Sequence, residues 1–331
     1  MRRKSLNAGV FGASIMQWLV TGGAGFIGSH LVDRIVDAGD SVKVLDDLSS
    51  GRLEFLAHHE GNERVAFVKV DLRDLEATAP HFEGVDRVVH LAANPDIRLG
   101  TRVTDTDLQH GTVATYNVLE SMRRHGVTEI AFASSSVVYG EDAPLPTPED
   151  HGPCIPISLY GASKAAGEGL IGAYVGTFGF RAWVFRFANI IGARGTHGVI
   201  FDFIHKLRAT PDNLEVLGDG RQEKSYMLVE DCVDAMMHII GQHNAPFTLM
   251  NLGTEDTCSV RRIAEIVIDV VGVNAGITYT GGDRGWAGDI PRARLAIDRL
   301  VASGFQPSAA SEAAVRQTAE LLLREIVAEH D

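Results

Sequence analysis

A tyrosine and a lysine stand four residues apart near the middle of the chain, in the motif YGASK at 160–164. This spacing predicts that Tyr160 and Lys164 lie one turn apart on the same face of a helix. A lysine ammonium beside a phenol lowers the pKa of the phenol, so the tyrosine can act as a general base near neutral pH. The serines at 134–136 follow a predicted strand, where their hydroxyls can hydrogen-bond a substrate oxygen. The two segments together predict acid–base chemistry.

A glycine-rich turn near the beginning of the chain predicts a phosphate-binding loop. The motif TGGAGFIG at 21–28 follows a predicted strand and opens a predicted helix. Gly22, Gly25 and Gly28 permit a tight turn, close approach of the backbone to a diphosphate, and close packing of helix on strand. The helix N-terminus adds free N–H donors. The motif therefore predicts a dinucleotide site, and a plain tight turn is the alternative.

An aspartate at the end of the second predicted strand indicates which dinucleotide binds. Asp46 follows Gly25 by 21 residues, where a carboxylate can accept hydrogen bonds from the adenosine ribose. The 2′-phosphate of NADP would meet Asp46 and Asp47 with like charge, so the sequence predicts NAD. The alternative is that Asp46 only caps the following turn.

The elements that must position these residues alternate between strand and helix through the first half of the chain. This alternation predicts an α/β fold with a doubly wound parallel sheet of the Rossmann type. We expect an N-terminal extension at 1–16, an NAD-binding Rossmann domain at 17–187, and a smaller substrate-binding lobe at 188–331 with some segments returning to the Rossmann domain. The predicted strands are 18–20, 42–45, 65–70, 85–91 and 130–133, and the predicted helices include 27–38, 113–124 and 311–328.

Charge and cysteine content exclude several classes of partner. The 331 residues carry 43 acidic and 30 basic side chains, a net charge of −13, which argues against nucleic-acid and anionic-membrane partners. No apolar run is long enough to cross a bilayer. Cys154, Cys232 and Cys258 lie far apart without a CxxC pair, which favours a reducing, cytoplasmic location over a disulfide framework or a zinc site. No metal site is predicted.

Five motifs together resemble the extended short-chain dehydrogenases/reductases of the NAD-dependent epimerase/dehydratase type, most closely the UDP-glucose 4-epimerases. They are TGGAGFIGSH at 21–30, Asp46, HLAAN at 90–94, SSSVVYG at 134–140 and YGASK at 160–164. The resemblance covers nearly the whole chain. It implies NAD as the cofactor, a UDP-sugar as the substrate, and a homodimer formed by the helices at about 106–124 and 161–177.

The same resemblance implies a set of site residues. The catalytic group is Ser135, which precedes Tyr139 by four residues, with Tyr160 and Lys164. The cofactor-binding group is Gly22, Gly25, Phe26, Ile27, Asp46, Asp47, Leu48, Ser50, Gly51, Asp71, Leu72, Leu91, Ala92, Ala93, Tyr160, Lys164 and Phe187. The substrate-binding group is Ser135, Ser136, Asn189, Arg194, His197, Lys224, Arg284 and Asp289.

Three positions depart from the family pattern. Lys224 and Trp286 stand where arginines usually occur, so Arg284 is expected to share the hold on the diphosphate, and His110 replaces an asparagine near the cofactor. Arg194 and His197 lie in a segment, 192–198, that is expected to border the C5 and C6 substituents of the sugar. The alternative for Arg194 is a role in packing or in binding the diphosphate. His197 is expected to be neutral at pH 7.

The resemblance implies 4-epimerisation of a UDP-hexose through a transient 4-keto sugar, with Tyr160 as the base. Ser136 and Val137 follow Ser135, where dehydratases and UDP-glucuronate decarboxylases carry further acidic residues, so these reactions are not predicted. The alternatives that remain are a UDP-glucuronate 4-epimerase or another nucleotide-sugar epimerase of the family, a net NAD-linked dehydrogenase, and a cofactor-binding protein without activity.

Overall fold

Strands and helices alternate through the first half of the chain, as the sequence predicts. The structure is a computed structural model, which describes residues 15–285 and 288–328. In these residues the strands are, in chain order, β1 (Gln17–Thr21), β2 (Ser41–Asp46), β3 (Val65–Lys69), β4 (Arg87–His90), β5 (Glu129–Ser135), β6 (Arg181–Phe187), β7 (Asn189–Ile191), β8 (Asn213–Val216), β9 (Glu223–Lys224), β10 (Tyr226–Leu228), β11 (Phe247–Leu252), β12 (Cys258–Ser259), β13 (Gly276–Tyr279) and β14 (Arg292–Ala293).

Helices connect most of these strands. Within the described residues the α-helices are α1 (Phe26–Asp37), α2 (Leu75–Thr78), α3 (Ala114–His125), α4 (Leu159–Phe178), α5 (Val199–Ala209), α6 (Val229–Gln242), α7 (Val260–Val271), α8 (Asp298–Ala302) and α9 (Ser311–Ala328). Short 3₁₀ segments occur at Leu53–His59, Ala79–Phe82, Ile97–Thr101 and Ser136–Tyr139. A π-helical segment, Leu108–Val113, leads directly into α3.

Seven parallel strands form the central sheet, in the order β11-β6-β5-β4-β1-β2-β3. The chain therefore winds outward from β1 in both directions, and the predicted doubly wound Rossmann-type fold is confirmed. The strand order reverses between β1 and β4. In sheets of this kind the crevice outside the carboxyl ends of the strands at such a reversal is where ligands bind.

Apolar side chains on both faces of the sheet explain its burial beneath two layers of helices. Val20 and its neighbours pack with residues of α1 and α6, whereas Leu19, on the opposite face of the same strand, packs with residues of α3 and α4. Trp18, Leu19 and Val20 are each at most 2% exposed. A strand that is covered on both faces consists of consecutive apolar residues, and this pattern allows β1 to be predicted from the sequence.

The later part of the chain builds a smaller lobe with a core of its own. Residues of α5, α7 and α9 pack there on β8 and β10. Small sheets pair β8 with β13, β7 with β10, and β9 with both β12 and β14. Two elements return to the larger domain: β11 pairs with β6, and α6 packs on α1. The division at residue 187 stays a prediction.

No helix in the described part of the chain is long and apolar enough to span a membrane.

Candidate active site

Four strands end at the same edge of the central sheet and deliver the predicted site residues there. The register pairs Thr21 with His90, His90 with Phe132, and Ser135 with Phe187, so β5 and β6 extend three residues beyond the ends of β1 and β4 at this edge. Gly22 follows β1, and Leu91 follows β4. This edge is therefore the place where the glycine-rich loop, Ser135 and Phe187 meet.

The glycine-rich loop has the close contacts that its glycines permit. Gly22 has a φ of +69°, and a Cβ added there would lie 2.8 Å from the backbone nitrogen of Ala92. A Cβ at Gly28 would lie only 2.1 Å from the Gly22 carbonyl oxygen. Gly25 is the N-cap of α1 and offers no side-chain cap to the first N–H groups of the helix. Those N–H groups remain available to a diphosphate, so the loop fits a dinucleotide.

Asp46 links the loop after β2 to the glycine-rich loop. Its Oδ2 accepts a hydrogen bond from the Ala24 backbone at 3.0 Å, and its Oδ1 accepts one from the Leu48 backbone at 2.9 Å. Burial raises the pKa of this carboxyl above its ordinary value. A Cβ at Gly51 would lie 2.8 Å from Oδ1, so the loop closes tightly over the carboxylate. Asp46 therefore caps a turn, and its contact with the ribose stays a prediction.

The remaining predicted cofactor residues surround the same edge of the sheet. Phe26 and Ile27 begin α1, and Leu91, Ala92 and Ala93 are half-buried directly after β4. Asp47 accepts hydrogen bonds from Ser49, in the same loop as Ser50. Asp71 forms an ion pair with Arg73 at 2.6 Å, and the Leu72 carbonyl accepts a hydrogen bond from Asn117. Their contacts with a cofactor stay predictions.

The tyrosine and lysine occupy the first two turns of α4. Ser158 caps this helix by accepting a hydrogen bond from the Gly161 backbone at 3.1 Å. The Lys164 ammonium donates to the Ala133 carbonyl at 2.7 Å, and it lies 5.6 Å from the centre of the Tyr160 ring. Lys164 is only 3% exposed, and this burial lowers its pKa to about 8. The predicted helical pairing of the two side chains is therefore present.

The pKa of Tyr160 is not lowered when no cofactor is bound, in contrast to what the sequence predicts. Burial raises the pKa of this phenol, and the negative charge of Asp107 raises it further. The expectation rested on Lys164 alone and left out both effects. A phenol in this position needs additional positive charge nearby before it can act as a base.

Asp107 is a buried carboxylate close enough to act electrostatically on Tyr160, and it was not predicted from the sequence. It is 1% exposed, its Oδ1 accepts a hydrogen bond from Asn94 at 3.0 Å, and its Oδ2 has no hydrogen-bond partner among the described residues. It directly precedes the π-helical segment that contains His110. His110, which replaces the asparagine of the family pattern, lies close enough to act electrostatically on both Asp71 and Asp107.

A buried polar network holds the end of β5. Ser134 donates a hydrogen bond to Glu168, which forms an ion pair with Arg186 at 2.6 Å. Arg186 also donates to the backbone carbonyl of Glu149 at 3.2 Å. Ser135 is free of this network, and its Oγ accepts only a weak hydrogen bond from the Val137 backbone at 3.4 Å. The network fixes the strand end while leaving the Ser135 hydroxyl able to donate to a ligand.

Three predicted substrate residues meet in the smaller lobe. Lys224 forms an ion pair with Asp289 at 2.6 Å, and Arg284 donates a hydrogen bond to the Asp289 carbonyl at 3.3 Å. Arg284 also pairs with Glu141. Asn189 forms no hydrogen bond with these three residues, and its side-chain amide donates a hydrogen bond to the Ser225 carbonyl at 3.1 Å. Trp286 lies outside the described residues.

The Arg194 side chain lies against α1, and its contact with the sugar stays a prediction. Its guanidinium pairs with Asp33 of α1 at 2.9 Å, and its backbone nitrogen donates to Glu325. Its φ of +62° turns the chain so that the side chain packs against α1. His197, in the same segment, is exposed to solvent, and its contact with the sugar stays a prediction.

A cleft of about 360 Å³ opens beside the first turn of α4. It lies between the 3₁₀ segment at 97–101, the start of α4 and the smaller lobe, and its lining includes Ile97, Thr101, Thr104, Ser158, Leu159 and Gly288. Its lining includes Ser158 and Leu159, which directly precede Tyr160 in the chain, so the cleft lies beside the start of the helix that carries the predicted base.

A Rossmann-type sheet, a glycine-rich loop at a helix N-terminus, and a serine, tyrosine and lysine at the adjoining strand ends define an enzyme of the extended short-chain dehydrogenase/reductase class. Residues 18–253 match the model of the NAD dependent epimerase/dehydratase family. The chain belongs to this family. The predictions of an NAD-dependent enzyme of the epimerase type and of NAD as its cofactor are thereby confirmed.

Individual relatives agree with the family assignment. The UDP-glucose 4-epimerase of Mycolicibacterium smegmatis is 34% identical, over 92% of this chain and 98% of the relative. A crystal structure of a UDP-galactose 4-epimerase is 43% identical, covers 94% of this chain and 100% of its own, and has a TM-score of 0.85. The UDP-glucose 4-epimerase of Thermus thermophilus, solved with NAD, is 29% identical over 93% and 99% of the two chains, with a TM-score of 0.82.

Proposed function

We propose that this chain is a UDP-hexose 4-epimerase that interconverts UDP-glucose and UDP-galactose. The observation that carries the proposal is the group of Ser135, Tyr160 and Lys164 at one sheet edge, with only Ser136 and Val137 following the serine. Dehydration requires a further acid and base at the reacting sugar, and neither side chain supplies one. The relatives named for 4-epimerisation of UDP-glucose and UDP-galactose support the choice of sugar.

Each of the three catalytic residues has a separate role in the proposed reaction. NAD, when bound, supplies the hydride acceptor and donor. Tyr160 takes the proton from the sugar 4-hydroxyl and later returns a proton to the same oxygen, while Ser135 hydrogen-bonds that oxygen. Lys164 stabilises the phenolate electrostatically, together with the positive charge of an oxidised nicotinamide, which offsets the effects of burial and of Asp107. The sugar turns over as a transient 4-keto compound, so no net oxidation occurs.

Incubation with a panel of nucleotide sugars tests this function. The panel contains UDP-glucose, UDP-galactose, UDP-glucuronate and the two UDP-N-acetylhexosamines, with products separated by chromatography and NADH followed by absorbance. We expect interconversion of UDP-glucose and UDP-galactose without accumulation of NADH. Because the Arg194 guanidinium pairs with Asp33, we expect Arg194→Ala to leave the sugar preference unchanged. Much faster epimerisation of UDP-glucuronate, lost selectively in Arg194→Ala, would establish the alternative substrate instead.

Asp46 is expected to select NAD over NADP. Replacing Asp46 with alanine and Asp47 with arginine removes the like-charge repulsion of a 2′-phosphate and adds a partner for it. The ratio of NADP to NAD affinity, measured by calorimetry, should rise in this variant. Asp37→Ala, which changes an exposed aspartate at the end of α1, is the control and should leave the ratio unchanged. Equal affinity of the wild-type protein for both cofactors would show that Asp46 does not discriminate.

We also propose a homodimer formed through α3 and α4. The outer face of α4 carries no exposed charge: Ala162, Ala166, Gly169, Ala173, Gly176, Thr177 and Phe178 are exposed there. Tyr116 on α3 is 44% exposed and Phe178 is 49% exposed. An uncharged surface of this kind is typical of an interaction site.

Light scattering is expected to give twice the mass of one chain at micromolar concentration. Ala173→Arg places a charge in the uncharged face of α4 and should produce monomers, because an unpaired buried charge is costly. Ala313→Arg, on the exposed side of α9, makes the same change elsewhere and should leave the mass unchanged. A monomeric wild-type protein would rule out the dimer.

The three thiols fit a reducing compartment, and we propose a cytoplasmic location. Cys154, Cys232 and Cys258 are all unpaired. Burial raises the pKa of Cys258 to about 12 and raises that of Cys232 as well, so neither forms a reactive thiolate at neutral pH.

A further inference from the structure

Two adjacent histidines and an aspartate converge at a point on α1, beyond the glycine-rich loop. The Nε2 atoms of His58 and His59 each lie 2.7 Å from Oδ1 of Asp33. All three atoms lie within 4.8 Å of one another. The His59 side chain is 10% exposed, Asp33 is 26% exposed, and His58 is 48% exposed, so the point is accessible from solvent. No step of the proposed reaction uses these residues.

The donor atoms are those that a borderline divalent cation prefers. Imidazole nitrogen binds Zn²⁺ at about 2.0–2.1 Å and carboxylate oxygen at about 2.0–2.2 Å. Two ligands of one tetrahedral ion at these bond lengths are roughly 3.3 Å apart. A bound cation would therefore require each Nε2 atom to move away from Oδ1 by less than about 1 Å, from the present 2.7 Å. Solvent can provide a fourth ligand on the exposed side of His58.

The second oxygen of the aspartate is already held. Arg194 pairs with Oδ2 at 2.9 Å, which leaves Oδ1 directed towards both histidines. Metal-binding carboxylates are commonly oriented in this way, by a hydrogen bond to the oxygen that does not bind the ion. The arginine also places a positive charge near the ion, so the affinity should be lower than for the same three ligands alone.

We propose that Asp33, His58 and His59 bind one borderline divalent cation, of which Zn²⁺ is the best match, through Oδ1 and the two Nε2 atoms. The ion would join α1, which follows the glycine-rich loop, to the segment 53–59, which follows the loop after Asp46. Binding is therefore expected to stabilise the packing of these two segments, and the melting temperature should rise with zinc concentration.

Calorimetric titration of the tag-free, chelator-treated protein with ZnCl₂ tests the proposal. We expect one zinc ion per chain, and at least tenfold weaker binding in His58→Asn and in His59→Asn. His125→Asn, at the exposed end of α3, is the matched control and should bind zinc as the wild-type protein does. MgCl₂ should give no saturable binding, because magnesium prefers oxygen ligands. Circular dichroism checks that each variant is folded.

Crystals grown with zinc give a second measurement that does not depend on any variant. An anomalous peak at the zinc edge between Oδ1 of Asp33 and the two Nε2 atoms would support the site. Three results would overturn it: no saturable zinc binding, a loss below tenfold in both histidine variants, or a peak elsewhere in the molecule.

Discussion

Tyr160→Phe is expected to lower the turnover number for UDP-galactose by about 10²–10⁴-fold, the usual effect of removing a general acid–base group. The substitution removes one oxygen atom and keeps the ring on α4, so the fold and the bound NAD should be retained. Turnover is measured by a coupled assay, and bound NAD by the absorbance of the denatured protein.

Tyr174→Phe is the matched control for this variant. Tyr174 lies on the same helix, 14 residues further along, and its hydroxyl is 3.5 Å from Glu120, away from the sheet edge. The atoms removed are the same, so a general effect of losing a phenol oxygen would appear in both variants. Near-normal turnover in Tyr160→Phe would place the base elsewhere.

Gly28→Ala is expected to weaken the binding of NAD. The added Cβ would lie 2.1 Å from the Gly22 carbonyl oxygen and 2.7 Å from the Gly23 Cα, both of them backbone atoms that cannot rotate away. The glycine-rich loop must therefore shift, and we expect NAD to bind at least about tenfold more weakly, or ~1.4 kcal/mol. Overpacking should also destabilise the fold by ~1–3 kcal/mol.

Gly241→Ala controls for the change of residue type. Gly241 lies in α6, and a Cβ added there would meet no atom of the described residues within 4 Å. Alanine favours helix over glycine by up to about 1 kcal/mol, so this variant should be slightly more stable and should bind NAD normally. Isothermal titration and thermal melts measure both properties. Unchanged NAD affinity in Gly28→Ala would show that the loop does not need a glycine at this position for the cofactor.

Local patterns allowed much of the fold and the site to be predicted. The glycines of the loop, Asp46, and the pair Tyr160 and Lys164 each occupy one short segment, where spacing alone determines which side chains face together. The strands β1 to β5 were predictable for a related reason, because strands buried on both faces are apolar throughout. Only the ends of these elements differ from the expected bounds.

Contacts between distant segments could not be predicted in the same way. Asp107 approaches Tyr160 because the π-helical segment packs closely on α4, where a Cβ at Gly111 would lie 2.7 Å from that of Ser163. Nothing in the local sequence signals this packing. Likewise, the direction of Arg194 depends on a left-handed backbone conformation, and its partner Asp33 lies 161 residues earlier.

The position of β11 bears on how the protein unfolds. This strand comes from the later part of the chain, after β7 to β10, yet it pairs with β6 along its whole length. Without residues 247–252, β6 would become an unprotected edge of the sheet, with unsatisfied backbone groups along one side. Likewise, α6, which packs on α1, belongs to the later part of the chain. Cutting the chain at residue 187 would therefore remove β11 and α6 from the nucleotide-binding part, and because the two lobes share these elements we expect one transition in calorimetric melting.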